Sequence, residues 1–139
     1  MQTSQSKTSF EKQHRILVMD DEDHIRIITK KILEKFNYIV ELAKDGEDAI
    51  SQYKKLLKNN TPAHMVIMDL TVPGGMGGKK ASKIILDLDP KAKIVISSGY
   101  SNDPIMTNYK DYGLKGIILK PYRMEELKTA IQDILEKNI

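Results

Sequence analysis

MVIMDL, Met65 to Leu70, decides how this chain is read. Four apolar residues run without a break into one carboxylate, Asp69, and the loop TVPGGMGG follows. A short unbroken apolar run bounded by turn residues is the pattern of a strand buried on both faces. A charge at the end of such a strand needs a partner. Asp69 is therefore a capping residue, a metal ligand or a nucleophile.

Similar runs lie on either side of it. Ile16 to Met19 ends in Asp20 and Asp21, Ile94 to Ile96 leads into Ser97 and Ser98, and Ile117 to Leu119 leads into Lys120 and Pro121. Tyr38 to Ala43 is a strand of more mixed character, suited to a sheet edge. Helical spacing separates these runs. It is carried by Ile25, Ile28, Ile32 and Phe36, then by Ala49, Ile50, Tyr53, Leu56 and Leu57 behind the cap Asp45. Ala81, Ile84, Ile85 and Leu88 mark a third helix, and Leu127, Ala130, Ile131, Ile134 and Leu135 the last. Asp103 and Pro104, as cap and first residue, with Gly113 as terminator, predict a further helix between the fourth and fifth strands.

Five strands alternating with five helices predict an α/β fold, a five-stranded parallel sheet with helices on both faces. The mixed second strand at an edge agrees with the flavodoxin-like order 2-1-3-4-5, a (βα)5 arrangement. Ligands of such sheets bind at the carboxyl ends of the strands. That rim would carry Asp20, Asp21, Asp69, Ser97, Ser98 and Lys120. Residues 1–13 are polar and without periodicity, a linker or disordered arm, so the folded unit is expected over residues 14–139.

Composition narrows the function classes. A chain of 139 residues, 40% hydrophobic and 29% charged, has the makeup of one globular domain. No run approaches the length of a membrane span, no leader-like stretch opens the chain, and cysteine is absent. A cytoplasmic setting without membrane contact is the expectation. The net charge is +3, but the lysines are spread along helix-like stretches, so no nucleic-acid surface is expected. His14, His24 and His64 form no metal-binding pattern.

With strands 1 and 3 adjacent, Asp20, Asp21 and Asp69 stand close together. At about 5 Å and an effective dielectric near 20, each pair repels by roughly 3 kcal/mol. Capping the first helix returns only about 0.3–1 kcal/mol. A bound divalent cation accounts for three carboxylates better, and an all-oxygen set points to Mg²⁺. A carboxylate, a cation, a lysine and a hydroxyl around one point suit phosphoryl transfer, with Asp69 able to form an acyl phosphate.

The set DD at 20–21, D at 69, SSG at 97–99 and KP at 120–121 resembles the receiver domain of two-component response regulators. The resemblance implies a phosphorelay, in which Asp69 takes a phosphoryl group from a histidine kinase or a histidine-phosphotransfer domain. It implies Mg²⁺ on Asp21, Asp69 and the main-chain carbonyl of Thr71, with Asp20 holding the ion through water. Ser98 matches the switch hydroxyl, and Lys120 the contact to a phosphoryl oxygen across a cis Lys120–Pro121 bond. Thr71 and Tyr100 match positions that tune hydrolysis. Ile117 stands where an aromatic switch residue is common, so the usual rotamer coupling is missing. Met106, Tyr109 and Tyr112 would present a surface for partners. The loop after Asp69 is similar to that of hybrid sensor histidine kinases, which suggests such a parent with a C-terminal receiver; a free-standing regulator is the other expectation.

Three other readings compete. GGMGGKK is one residue short of a phosphate-binding loop and has Lys80 where Ser or Thr is needed. An aspartate-nucleophile, Mg²⁺-dependent phosphatase uses the same residue types, but its nucleophile strand comes first and reads D-x-D, whereas position 71 is Thr. A degenerate receiver would bind proteins without accepting phosphate.

Overall fold

In the computed structural model, which describes residues 13–99 and 101–136, strands and helices alternate along the chain. They are β1 (Arg15–Met19), α1 (Asp23–Lys35), β2 (Ile39–Ala43), α2 (Gly46–Lys58), β3 (Met65–Asp69), α3 (Gly78–Leu88), β4 (Ile94–Ser98), β5 (Gly116–Leu119) and α4 (Met124–Glu136). The sheet order is β2-β1-β3-β4-β5 and every pairing is parallel. Both agree with the order expected from the sequence. Apart from Gln13, the polar leading arm lies outside the described residues.

The apolar runs are strands because burial on two faces rewards every side chain, not alternate ones. All five residues of β3 and of β4 are buried. Successive side chains divide between two cores. Leu17, Met19, Val66, Met68, Ile94 and Ile96 meet Ala49 and Tyr53 of α2 and Ala81 and Ile85 of α3. Ile16, Val18, Met65, Ile67 and Val95 meet Leu33 of α1 and Leu127 and Ile131 of α4. Each fully buried Ile, Leu or Met contributes about 1.5–3 kcal/mol. At the edge, β2 is only partly buried, and Glu41 accepts a 2.6 Å hydrogen bond from Arg15.

Two expectations need correction. Ile28, Leu57 and Leu88 mark the helical spacing but stand exposed, Ile28 at 52%, and Thr29 and Leu33 are the buried residues of α1. At 3.6 residues per turn Ile28 lies about 100° from Thr29. Thr29 is kept inside by a 2.5 Å contact between its hydroxyl and that of Tyr122.

The expected helix after β4 is instead a pair of 3-10 turns, Pro104–Met106 and Tyr109–Tyr112. Its end signals act as expected: Asp103 accepts from the Ile105 amide, and Gly113 adopts φ 81°. Between them, TNYKDY contains mostly residues of poor helix propensity. Asn108 leaves the helical region at φ −109°, ψ 37° and splits the segment. Ile105 and Leu114, both buried, pin it at either end.

Candidate functional site

The parallel register brings the strand ends to one rim. Asp20 follows β1, Asp69 closes β3, Ser98 closes β4 and Lys120 follows β5. Backbone hydrogen bonds continue the sheet through these positions: Asp20 N–H donates to Ala43 O at 3.1 Å, Leu70 N–H to Ser97 O at 2.9 Å and Lys120 N–H to Ser98 O at 2.9 Å. The site is thus mounted on the rigid ladder, not on its loops.

Asp20 and Asp69 are buried and Asp21 is exposed. One carboxylate oxygen from each lies within 4.8 Å of the others. Lys120 reaches into this cluster, with Nζ 2.7 Å from Asp20 Oδ2 and 3.3 Å from Asp69 Oδ1. Asp20 is held further by the Glu22 amide, which donates to Oδ1 at 2.9 Å, and by Arg26, which donates to its main-chain carbonyl at 2.6 Å.

The electrostatics follow from this crowding. Burial first, then the charge of Asp20, push the Asp69 carboxyl up to about 6, and Lys120 offsets only part of that. Burial pulls the Lys120 ammonium down, but its bond to Asp20 and the charge of Asp69 outweigh burial and raise it. One lysine against three converging carboxylates leaves an acidic pocket that favours a further cation. Oxygen-only donors fit a hard divalent ion such as Mg²⁺.

Ser98 is buried at the end of β4, and Thr71 is exposed two residues beyond the acidic strand end. Ile117 is half-buried, pairs with Ile96 across the sheet and packs against the α2–α3 core. Tyr100 lies outside the described residues. Lys120–Pro121 is cis, as the resemblance implied.

The glycine-rich loop serves close packing. A Cβ on Gly78 would stand 2.7 Å from the Asp69 carbonyl and 2.8 Å from Ile96 Cδ1, and one on Gly77 would collide with the Leu70 carbonyl. The amides of Gly75 and Gly78 are spent on the Val72 and Leu70 carbonyls. Amides so committed do not cradle a phosphate, which counts against the nucleotide-loop reading.

Two contacts near the rim were not foreseen. Tyr122, two residues after Lys120, meets Thr29 and so ties α1 to the β5–α4 connection. Arg26 bonds both the Asp20 carbonyl and the Asp23 carboxylate. The i,i+3 spacing of Asp23 and Arg26 was a readable signal. The Thr29–Tyr122 pair joins residues 93 apart and had none.

Comparison with known proteins agrees with this geometry. The family model described as "Response regulator receiver domain" matches residues 16–132. Protein CcdB of Bacillus subtilis (strain 168) is 36% identical over 122 residues, covering 87% of this chain and 97% of that protein. A CheY-like receiver domain protein from Methanospirillum hungatei JF-1 superposes with a TM-score of 0.79 at 26% identity, covering 90% of this chain and 95% of that one. The response regulator TrrA of Thermotoga maritima, solved with Mg²⁺ and a beryllium fluoride, gives a TM-score of 0.75 at 27% identity, over 88% of this chain and all of that one. Sheet order, acidic rim and matched length converge: the chain belongs to the response regulator receiver family of two-component signalling.

Proposed function

We propose that Asp69 is a reversible phosphoacceptor, loaded from a phosphohistidine on a histidine kinase or histidine-phosphotransfer domain. The observation that carries this reading is the convergence of Asp20, Asp69 and Lys120 Nζ at 2.7 and 3.3 Å on one rim of the sheet. A carboxylate oxygen of Asp69 forms the new bond to phosphorus while the donor's N–P bond breaks. That electron pair returns to the donor imidazole, which takes up a proton. In this reading Lys120 holds a transferred oxygen, and the Ser98 hydroxyl bonds the new group.

Mg²⁺, on Asp21, Asp69 and the Thr71 main-chain carbonyl with Asp20 behind a water, would neutralise charge on the transferred oxygens. The acidic pocket and its oxygen-only donors support that assignment. Loading then draws the segment after β4 toward Ser98 and changes the surface that carries Met106, Tyr109 and Tyr112. Ile117 in place of an aromatic leaves Ser98 as the main reporter of loading. The unit that does this runs over residues 14–139, in a cytoplasmic setting. No helix among the described residues is long and apolar enough to cross a membrane.

The test is incubation with Mg²⁺ and acetyl phosphate, read by intact mass. The wild type gains one phosphoryl group and Asp69→Asn gains none. Equal labelling of the two proteins, or repeated release of phosphate without a labelled protein, would overturn the assignment.

A further inference from the structure

At the pole of the sheet opposite the acidic rim, two histidines sit against each other. The rings of His14 and His64 meet edge to face, with centroids 4.9 Å apart and planes at 88°. His64 also makes both backbone connections of Arg15. Its own N–H donates to the Arg15 carbonyl at 2.7 Å, and its ring Nδ1 accepts the Arg15 N–H at 2.9 Å. The β1–β3 pairing proper begins one residue later, at Ile16 and Met65. The imidazole thus replaces a strand carbonyl and extends the ladder by one bond.

We propose that the His14–His64 pair is a proton-operated latch on the β1–β3 seam, closed with His64 neutral and released when it is protonated. The acceptor role of Nδ1 requires that this nitrogen carry no proton. Protonation turns it into a donor facing another donor, and removes the partner of the Arg15 amide. It also sets a cation among like charges.

The groups facing the ring come from each element around the cleft. His14 precedes β1, and β1 contributes Arg15, whose guanidinium is paired with Glu41. The α3–β4 connection contributes Asp89, Lys91 and Lys93, and α2 contributes Tyr53. Among the described residues, the carboxylate lining the cleft is already engaged, since Asp89 accepts from the Tyr53 hydroxyl at 2.6 Å and from the Lys91 amide at 3.2 Å. Burial, then the charge of His14, hold the His64 imidazole below 6.5; the hydrogen bond to the Arg15 backbone opposes that shift, and the charges of Arg15 and Lys93 add to it. Stability contributed by the latch is complete above pH 6.5 and is lost as pH falls through the lowered value. Below it, the seam frays from the end remote from Asp20 and Asp69.

The experiment follows two NMR signals in the full chain, metal-free, between pH 7.5 and 5. One is the ring-nitrogen shift of His64, and the other is hydrogen-exchange protection of the Arg15 amide, corrected for intrinsic exchange. Protection of Arg15 is expected to fall roughly tenfold, the size of one net hydrogen bond, with the midpoint of the His64 titration. The mid-strand amides of Leu17 and Ile67 should keep theirs. In His64→Gln, which does not titrate here, Arg15 protection should be flat with pH. Constant Arg15 protection while the His64 ring titrates, or an unchanged fall in His64→Gln, would overturn the latch.

Discussion

Asp69→Asn should make the metal-free protein more stable although it removes the proposed acceptor. In the native fold the Asp69 carboxyl has been pushed from 3.8 to about 6, chiefly by burial and by Asp20. Two pKa units correspond to about 3 kcal/mol. Solvent reaches the rim, and asparagine loses the ionic attraction to Lys120, so about half of that remains as net gain. A raised carboxylate pKa means that the folded state binds the proton more tightly. The penalty is absent below about pH 4, grows between pH 4 and 6, and is complete above pH 7. Thermal melts in a chelator at pH 7.5 should place the variant about 5 °C above the wild type, a gap closing as pH approaches 4. Comparing the two proteins at each pH cancels any contribution from His64, which both retain. Mg²⁺ should then raise the wild type and leave the variant nearly unmoved. Equal melting points at pH 7.5, or a gap that widens on acidification, would refute the electrostatic reasoning.

Other perturbations test the supports of the site. Gly78→Ala puts a methyl group against the Asp69 carbonyl and Ile96, and should cost about 1–3 kcal/mol in urea unfolding. Tyr122→Phe removes the bond to Thr29 and should cost about 1 kcal/mol; the same loss in the Thr29→Val background would show that the bond is not its source. Tyr100→Ala should shorten the lifetime of the acyl phosphate, measured by loss of the phosphorylated mass after removal of the donor. Unchanged decay would remove Tyr100 from the tuning positions.

Strand number, order and the acidic rim were legible because both faces of the sheet are covered. That leaves Ile16–Met19 and Met65–Met68 as unbroken apolar runs that a propensity argument cannot mistake for loops. What escaped depended on contacts distant in sequence. Ile28 and Thr29 cannot be ranked for burial until Tyr122, in the β5–α4 connection, supplies a hydroxyl. The segment after β4 has sound helix-end signals at Asp103 and Gly113, but they report where a turn starts and stops, not which hydrogen bonds fill it. Three carboxylates were readable as a problem of charge. Only the geometry showed that Lys120 bonds Asp20 more closely than Asp69, and that burial, then the Asp20 charge, raises the Asp69 carboxyl.

The two 3-10 turns between β4 and β5 carry a consequence for how this receiver can diversify. Anchorage there resides in Ile105 and Leu114, and the residues between them owe little to a continuous helical ladder. Substitutions at Thr107, Lys110 and Asp111, all exposed, leave both anchors and the sheet beneath untouched. That span is therefore a replaceable cassette, whose surface can change in shape and charge while the acidic rim stays as it is.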